Sequence, residues 1–189
     1  MVSTYAPIPA RQLLARGELH HVVAAVDPDS PLADRRLAEA VLETALEVAE
    51  PDGAEVYVLH VWDAIGVQLL RSWEPPDHVD AYVRQAHDSA ARRVQALVAA
   101  RHDRIDPEHV LLVRGRPWEE IPRVALALEV DAVVMGDSER TGLARLIVGN
   151  TAERVAKRLR CAVIVVKAAA LVAEVRPVLP RASVVRGRR

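Results

Sequence analysis

Five short runs rich in branched apolar residues recur along the chain, and longer segments of helical periodicity separate them. The runs are His21 to Val26, Glu55 to Val61, His109 to Val113, Ala132 to Met135 and Ala162 to Val166. Several are nearly continuous in valine, leucine and isoleucine rather than alternating, which is typical of strands covered on both faces of a parallel sheet. The alternation of strand and helix predicts an α/β fold, in which a doubly wound open sheet carries helices on both faces.

Four intervening segments have the spacing of amphipathic helices. Their predicted starts are Ser30 with Pro31, the vicinity of Asp77, Pro117, and Asn150. The first helix is expected to stop near Glu50, because Pro51 and Gly53 cannot continue it. The third contains Pro122, which can kink it, and the fourth is expected to run to about Leu159.

The length of 189 residues fits one domain with extensions. Residues 17–168 form the predicted domain, residues 1–16 an N-terminal extension and residues 169–189 a C-terminal tail that we expect to be mobile. Within the tail, Leu171 to Val178 can add a little extended structure. The tail carries five arginines against Glu174, so it either contacts acidic surfaces or remains a solvated end.

The charge and cysteine content exclude several classes of protein. A formal net charge of −1 gives no strong field toward nucleic acid or an acidic membrane, and neither is an expected partner. The single cysteine, Cys161, cannot form an internal disulfide, which suits a reducing compartment. No apolar run is long enough for a signal peptide or a bilayer span, so we expect a cytoplasmic protein.

Candidate functional residues follow the predicted strands. Ligands of open parallel sheets bind beyond the carboxyl ends of the strands, where the winding direction reverses. Asp27 follows the first strand, Val61 ends the second, and a long turn begins at Gly136 after the fourth. Asp27 has an alternative role as the cap of a turn with Pro28.

The turn after the fourth strand has two interpretations. Glycines at Gly136 and Gly149 let backbone amides approach a phosphate closely, next to the N-terminus of the following helix. Alternatively, Gly136 ends a strand, Gly149 makes a turn, and Asn150 forms a capping box with Glu153.

This turn resembles the signature of the universal stress protein family. That signature consists of a glycine, two residues, a second glycine, nine residues, and a third glycine followed by a small polar residue. In this chain Gly136, Gly149 and Asn150 match the signature, whereas Glu139 replaces the second glycine. The resemblance covers about residues 20–168. The runs from Gly149 to Arg154 and from Leu69 to Ser72 look like the second half of tandem-domain members.

The resemblance implies a five-stranded parallel sheet in the order 3-2-1-4-5 and, in some members, an ATP site. It implies ATP or another adenine nucleotide as cofactor, with no metal predicted from the sequence. The implied nucleotide-binding residues are Asp27, Val61, Met135, Gly136, Arg140, Gly149, Asn150 and Thr151. Asp27 would meet the adenine edge, Val61 would pack on adenosine, and the residues from Gly149 to Thr151 would hold phosphates.

Glu139 predicts a weakened nucleotide site, because its carboxylate would repel phosphates and its side chain restricts the backbone. The alternative is a dimeric regulator that binds no nucleotide and acts through protein partners. No acid, base or nucleophile is visibly assembled beside the turn, so no catalytic residue is assigned and slow ATP hydrolysis is the most we expect.

Two segments are candidate interaction surfaces. The strand from Ala162 to Val166 is expected to be an open sheet edge, through which two copies would pair as a homodimer. The apolar connection from Trp62 to Pro76 covers the site, docks a protein partner or, alternatively, packs over the edge of the sheet. His60 is expected to be a core or rim histidine with a backbone partner, and Cys161 a small buried hydrophobe.

Overall fold

The structure, a computed structural model, describes residues 18–28, 35–64, 67–137, 151–167 and 172–174. Six strands form one sheet in the order β3-β2-β1-β4-β5-β6. They are β1 (His21–Ala25), β2 (Glu55–Trp62), β3 (Val110–Arg114), β4 (Ala132–Asp137), β5 (Ala162–Lys167) and β6 (Val172–Glu174). The first five are parallel to their neighbours, which confirms the predicted order 3-2-1-4-5.

Helices cover both faces of the sheet. They are α1 (Arg35–Ala49), α2 (Val67–Leu70), α3 (Pro76–Val98), α4 (Pro117–Ala127) and α5 (Thr151–Ala156). One apolar cluster joins α1 and α3 to strand residues such as Val22, Val58 and Val134. A second joins α4 and α5 to Val23 and Val133, which alternate with the first set, so both faces of the strands are buried.

The predicted strand boundaries differ from the observed ones by one or two residues, and the helices differ more at their ends. The last helix was expected to reach Leu159 but ends at Ala156, where the amide of Arg158 bonds to the carbonyl of Val155 at 2.9 Å in a tighter turn. The connection after β2 contains α2, a helix that was not predicted from the sequence. The predicted first-helix start at Ser30 and Pro31 lies outside the described residues.

The expectation that β5 is an open edge is wrong over its carboxyl-terminal half. Strand β6 pairs with it antiparallel, matching Val165, Val166 and Lys167 with Glu174, Ala173 and Val172. Antiparallel pairing needs only a short connection, which the chain between Lys167 and Val172 provides. Part of the C-terminal tail therefore extends the sheet.

Helix α4 runs through Pro122 without interruption. Proline has no amide hydrogen, so the carbonyl of Trp118 lacks its usual partner four residues on. Arg158 supplies a substitute, since its guanidinium donates a hydrogen bond to that carbonyl at 2.8 Å. Arg154 of α5 lies over the Trp118 ring at 4.2 Å, so the two helices are linked at the start of α4.

Candidate functional site

The carboxyl ends of the strands bring together several of the predicted binding residues. The direction of winding changes between β1 and β4, because α1 and α3 lie on one face and α4 and α5 on the other. Ala25 of β1 pairs with both Leu59 of β2 and Met135 of β4. Asp27 lies two residues after Ala25, and Val61 lies two residues after Leu59. Asp27 is exposed at this edge.

Met135 and Gly136 occupy opposite faces of β4. Met135 is 3% exposed and packs in the cluster beside α4 and α5, so a ligand at this edge would meet mainly its backbone. A Cβ atom on Gly136 would lie 2.9 Å from Cδ2 of Leu37 on α1. The close approach of α1 is therefore sufficient to explain glycine at this position.

The remaining predicted binding residues belong to the turn after β4 and to the start of α5. Arg140, Gly149 and Asn150 lie outside the described residues, as does Glu139. Thr151 begins α5 and is partly buried. The structure thus gives the position of the sheet edge and leaves the phosphate half of the predicted site as a prediction.

A cleft of about 350 Å³, which was not predicted from the sequence, lies at the same edge between the ends of β2 and β3. Asp63 and Arg114 line it, as do Arg116 and Glu119. The available signal was the sequence Arg114-Gly115-Arg116 directly after a strand, but nothing in that tripeptide alone shows that Asp63 lies across from it.

The connection after β2 packs mainly inward at its start. Trp62 and Val67 are buried against Val79 and Ala90 of α3, which favours packing for this part of the connection. Farther along, Trp73 is 81% exposed and offers an apolar surface.

The opposite, amino-terminal edge of the sheet contains polar groups that pair with one another. The carboxylate of Asp131 accepts hydrogen bonds from the amides of His20 and His21 at 2.7 and 3.0 Å. The carboxylate of Asp52 accepts another from the amide of Leu19 at 2.9 Å. These acids satisfy backbone donors that precede the strands, a structural role.

Glu55 is the centre of a second cluster of polar side chains at this amino-terminal edge. Its Oε2 atom accepts a hydrogen bond from the Tyr57 hydroxyl at 2.9 Å and lies 3.8 Å from Nε2 of both His21 and His109. The hydrogen bond to the Glu55 carboxylate raises the pKa of Tyr57, because a phenol that donates to an anion resists deprotonation.

The expectation for His60 is confirmed, whereas Cys161 is partly rather than fully buried. His60 is 3% exposed, and its Nδ1 atom lies 3.0 Å from the carbonyl oxygen of Val26. Cys161 packs beside the α4–α5 cluster, and burial raises the pKa of its thiol to about 11. A thiol that stays protonated at neutral pH is a poor nucleophile.

The described residues offer little for metal or acid–base chemistry. Within them, no three histidine, cysteine, aspartate or glutamate side chains are arranged to hold a metal ion. Glu153 has a lowered pKa through its hydrogen bond to Lys157, an exposed pair on α5. None of the helices in these ranges combines the length and apolar character needed to cross a bilayer.

Comparison with known proteins identifies related sequences. The model of the universal stress protein family matches residues 18–167. Universal stress protein MJ0531 of Methanocaldococcus jannaschii is 32% identical over 126 residues, which are 65% of this chain and 71% of that protein. Universal stress protein E of Salmonella typhi is 30% identical over 135 residues, 69% of this chain but 41% of its own length.

Solved structures share the fold. A protein of unknown function from Pseudomonas aeruginosa PAO1, PA1789, superimposes with a TM-score of 0.60 at 25% identity, over 84% of this chain and 52% of that one. A universal stress protein in complex with cAMP superimposes with a TM-score of 0.50 at 18% identity, over 79% of this chain and 97% of that one. The chain spans about half of PA1789 and less than half of the Salmonella relative.

Proposed function

The chain belongs to the universal stress protein family, and from that premise we propose that it is a stress-response and signalling module that binds an adenine nucleotide. The observation that carries the proposal is the position of Asp27, Val61 and Met135 at one sheet edge, beside the point where the winding reverses. A structural neighbour in complex with cAMP supports an adenine nucleotide as the ligand class.

Each candidate residue has a proposed role. Asp27 accepts a hydrogen bond from the adenine edge, and Val61 packs against adenosine. Met135 and Gly136 line the nucleotide through their backbone. Arg140, with the Gly149–Thr151 segment, binds the phosphates by charge and by backbone amides.

Glu139 determines the expected nucleotide affinity and the number of phosphates that the site prefers. A carboxylate about 5 Å from a phosphate charge costs about 3 kcal/mol at an effective dielectric constant of about 20. That energy corresponds to about a hundredfold in affinity. The penalty grows with the number of phosphate charges, so the site favours a nucleotide with few phosphates over ATP, and any ATP hydrolysis is slow.

Calorimetric titration tests this proposal. ATP, ADP and AMP are titrated into the parent protein and into the variants Glu139→Gly and Glu139→Gln. Removing the carboxylate should tighten ATP binding by about a hundredfold and AMP binding by less. The glutamine variant separates the charge from the backbone freedom that glycine adds. Glu108→Gln, an exposed acid at the opposite edge, is the matched control and should change nothing. Submicromolar ATP binding by the parent that is unchanged in Glu139→Gly would refute the repulsion argument.

The exposure of Trp73 favours a second candidate function, a dimeric regulator that binds no nucleotide and uses the Trp62–Pro76 connection to dock a protein. Heating the purified protein releases any bound nucleotide, and the absorbance of the extract separates the two candidates. Co-purified adenine nucleotide supports the first, and its absence together with no binding in the titration supports the second.

We further propose that two copies pair through the amino-terminal half of β5, residues Ala162 to Ile164, which β6 does not cover. Ala173→Pro removes a backbone donor from β6 and should uncover the rest of the edge. Sedimentation at tens of micromolar should show a dimer that is tighter in the variant. A monomer in both proteins would contradict pairing through this edge.

A further inference from the structure

The cleft between the ends of β2 and β3 is a second candidate site, apart from the β1–β4 switch point. The chain after β2 contributes Asp63, Ala64 and Val67 to its lining, and the chain after β3 contributes Arg116 and Glu119, with Arg114 at the end of β3. Its volume of about 350 Å³ is within the range of small-molecule sites.

Two of the charges in the cleft neutralise each other. The Arg116 guanidinium and the Glu119 carboxylate lie 3.7 Å from each other. The two residues are three positions apart in the sequence, at the start of α4. Such an exposed pair contributes little to stability, but it leaves neither group seeking a partner.

The remaining two charges are opposite in sign and unpaired. Across the part of the chain that the structure describes, neither the Asp63 carboxylate nor the Arg114 guanidinium forms an ion pair, although both line the cleft. They are therefore too far apart for a direct salt bridge. A ligand that carries both a negative and a positive group can bridge them.

Arg114 is exposed, and its side chain lies beside a buried aromatic ring. Its guanidinium lies 5.7 Å from the centre of the Trp62 ring, and that indole is buried against α3. The next residue, Gly115, donates its amide to the Trp62 carbonyl at 3.0 Å. Gly115 has a φ of 154°, and a Cβ there would lie 2.6 Å from Cγ of Glu120, so this corner favours glycine.

We propose that this cleft binds a small zwitterion, an α-amino acid. The ligand carboxylate pairs with Arg114, and its ammonium group pairs with Asp63. The lining has two cationic and two anionic side chains, so a purely anionic or purely cationic ligand would meet a like charge. This goes beyond the nucleotide proposal and uses different residues.

Titration of the full chain with leucine, followed by amide NMR shifts, tests the proposal. N-acetylleucine lacks the cationic group and leucinamide lacks the carboxylate, so each should bind about tenfold more weakly than leucine. Arg114→Gln and Asp63→Asn should each weaken leucine binding by about tenfold. Arg123→Gln is the matched control, because Arg123 pairs with Glu120 rather than lining the cleft, and it should leave leucine binding unchanged.

Three results would overturn the proposal. The first is that no proteinogenic amino acid causes saturable shifts at about 10 mM. The second is that leucine binds but both cleft variants retain parent affinity. The third is that N-acetylleucine or inorganic phosphate binds more tightly than leucine, which would make the cleft an anion site. ATP titrated into the same variants reports on the nucleotide proposal separately, since neither cleft residue belongs to that site.

Discussion

The two edges of the sheet use their polar residues in opposite ways. At the amino-terminal edge, Asp131 binds two backbone amides, and Glu55 contacts Tyr57 and two imidazoles. At the carboxyl-terminal edge, Asp63 and Arg114 face one cleft without an ion pair in the described residues. Both edges carry acids beside strand ends, but Asp131 and Glu55 at the amino-terminal edge bind groups of the protein itself.

This difference separates structural acids from candidate ligand-binding acids. A polar group that satisfies backbone donors stabilises the fold and is unavailable to a ligand. A charged group that lines a cleft without a charged partner contributes little to stability and can interact with a ligand. Stability and ligand binding should therefore respond to substitutions of charged residues at opposite edges.

The largest expected effect concerns Cys161, at the amino-terminal edge. With a thiol pKa of about 11, its thiolate fraction at pH 8 should be about a hundredfold smaller in the folded than in the unfolded protein, and its reaction with a disulfide reagent should be slower. The folded state holds the thiol proton more tightly, so the associated stability is complete below the ordinary thiol pKa and is lost as the pH rises through about 11. Equal rates in native and denaturing buffer would show an accessible thiolate.

Gly136 should behave as a packing residue although it lies at the carboxyl edge. Gly136→Ala introduces a Cβ against Leu37 and should lower the free energy of unfolding by about 2 kcal/mol, measured by urea denaturation. In a Leu37→Ala background the same change should cost much less, because the space is then available. Equal costs in both backgrounds would contradict the contact with α1.

A pair of aspartates compares the edges directly. Asp131→Ala leaves the amides of His20 and His21 without their acceptor and should cost about 1.5 kcal/mol of unfolding free energy. Asp63→Ala, at the other edge, should change that energy by less than about 0.5 kcal/mol. Similar losses from both substitutions would remove the distinction between the edges.

The smallest expected effect concerns the substitute hydrogen bond in α4. Arg158→Gln should cost about 1 kcal/mol, because the Trp118 carbonyl loses its donor. In a Pro122→Ala background the restored amide can bond to that carbonyl, so Arg158→Gln should cost less. An additive double-mutant cycle would show that Arg158 does not replace the missing amide.

Local sequence was sufficient for the parts of the fold that have local causes. The valine-rich runs specify buried strands, and Pro51 with Gly53 marks the end of α1 one residue from the prediction. The buried state of His60 followed from its place inside such a run.

The missed features depend on contacts between distant segments. Strand β6 has three residues, too few for a recognisable pattern, and exists through its pairing with β5. The cleft arises because the β2–β3 register places Trp62 beside Arg114, which brings Asp63 near the Arg114 side chain. The role of Gly136 against Leu37 is likewise a contact across the chain that no motif encodes.

Amide shift mapping of the labelled protein during titration with AMP and ATP tests the central claim, that the carboxyl edge at the β1–β4 switch point binds an adenine nucleotide. Saturable shifts should concentrate at Asp27, Val61 and the Met135–Gly136 segment, with His20, His21 and Asp131 at the opposite edge unchanged. Shifts confined to the amino-terminal edge, or none at millimolar nucleotide in both the parent and Glu139→Gly, would contradict it.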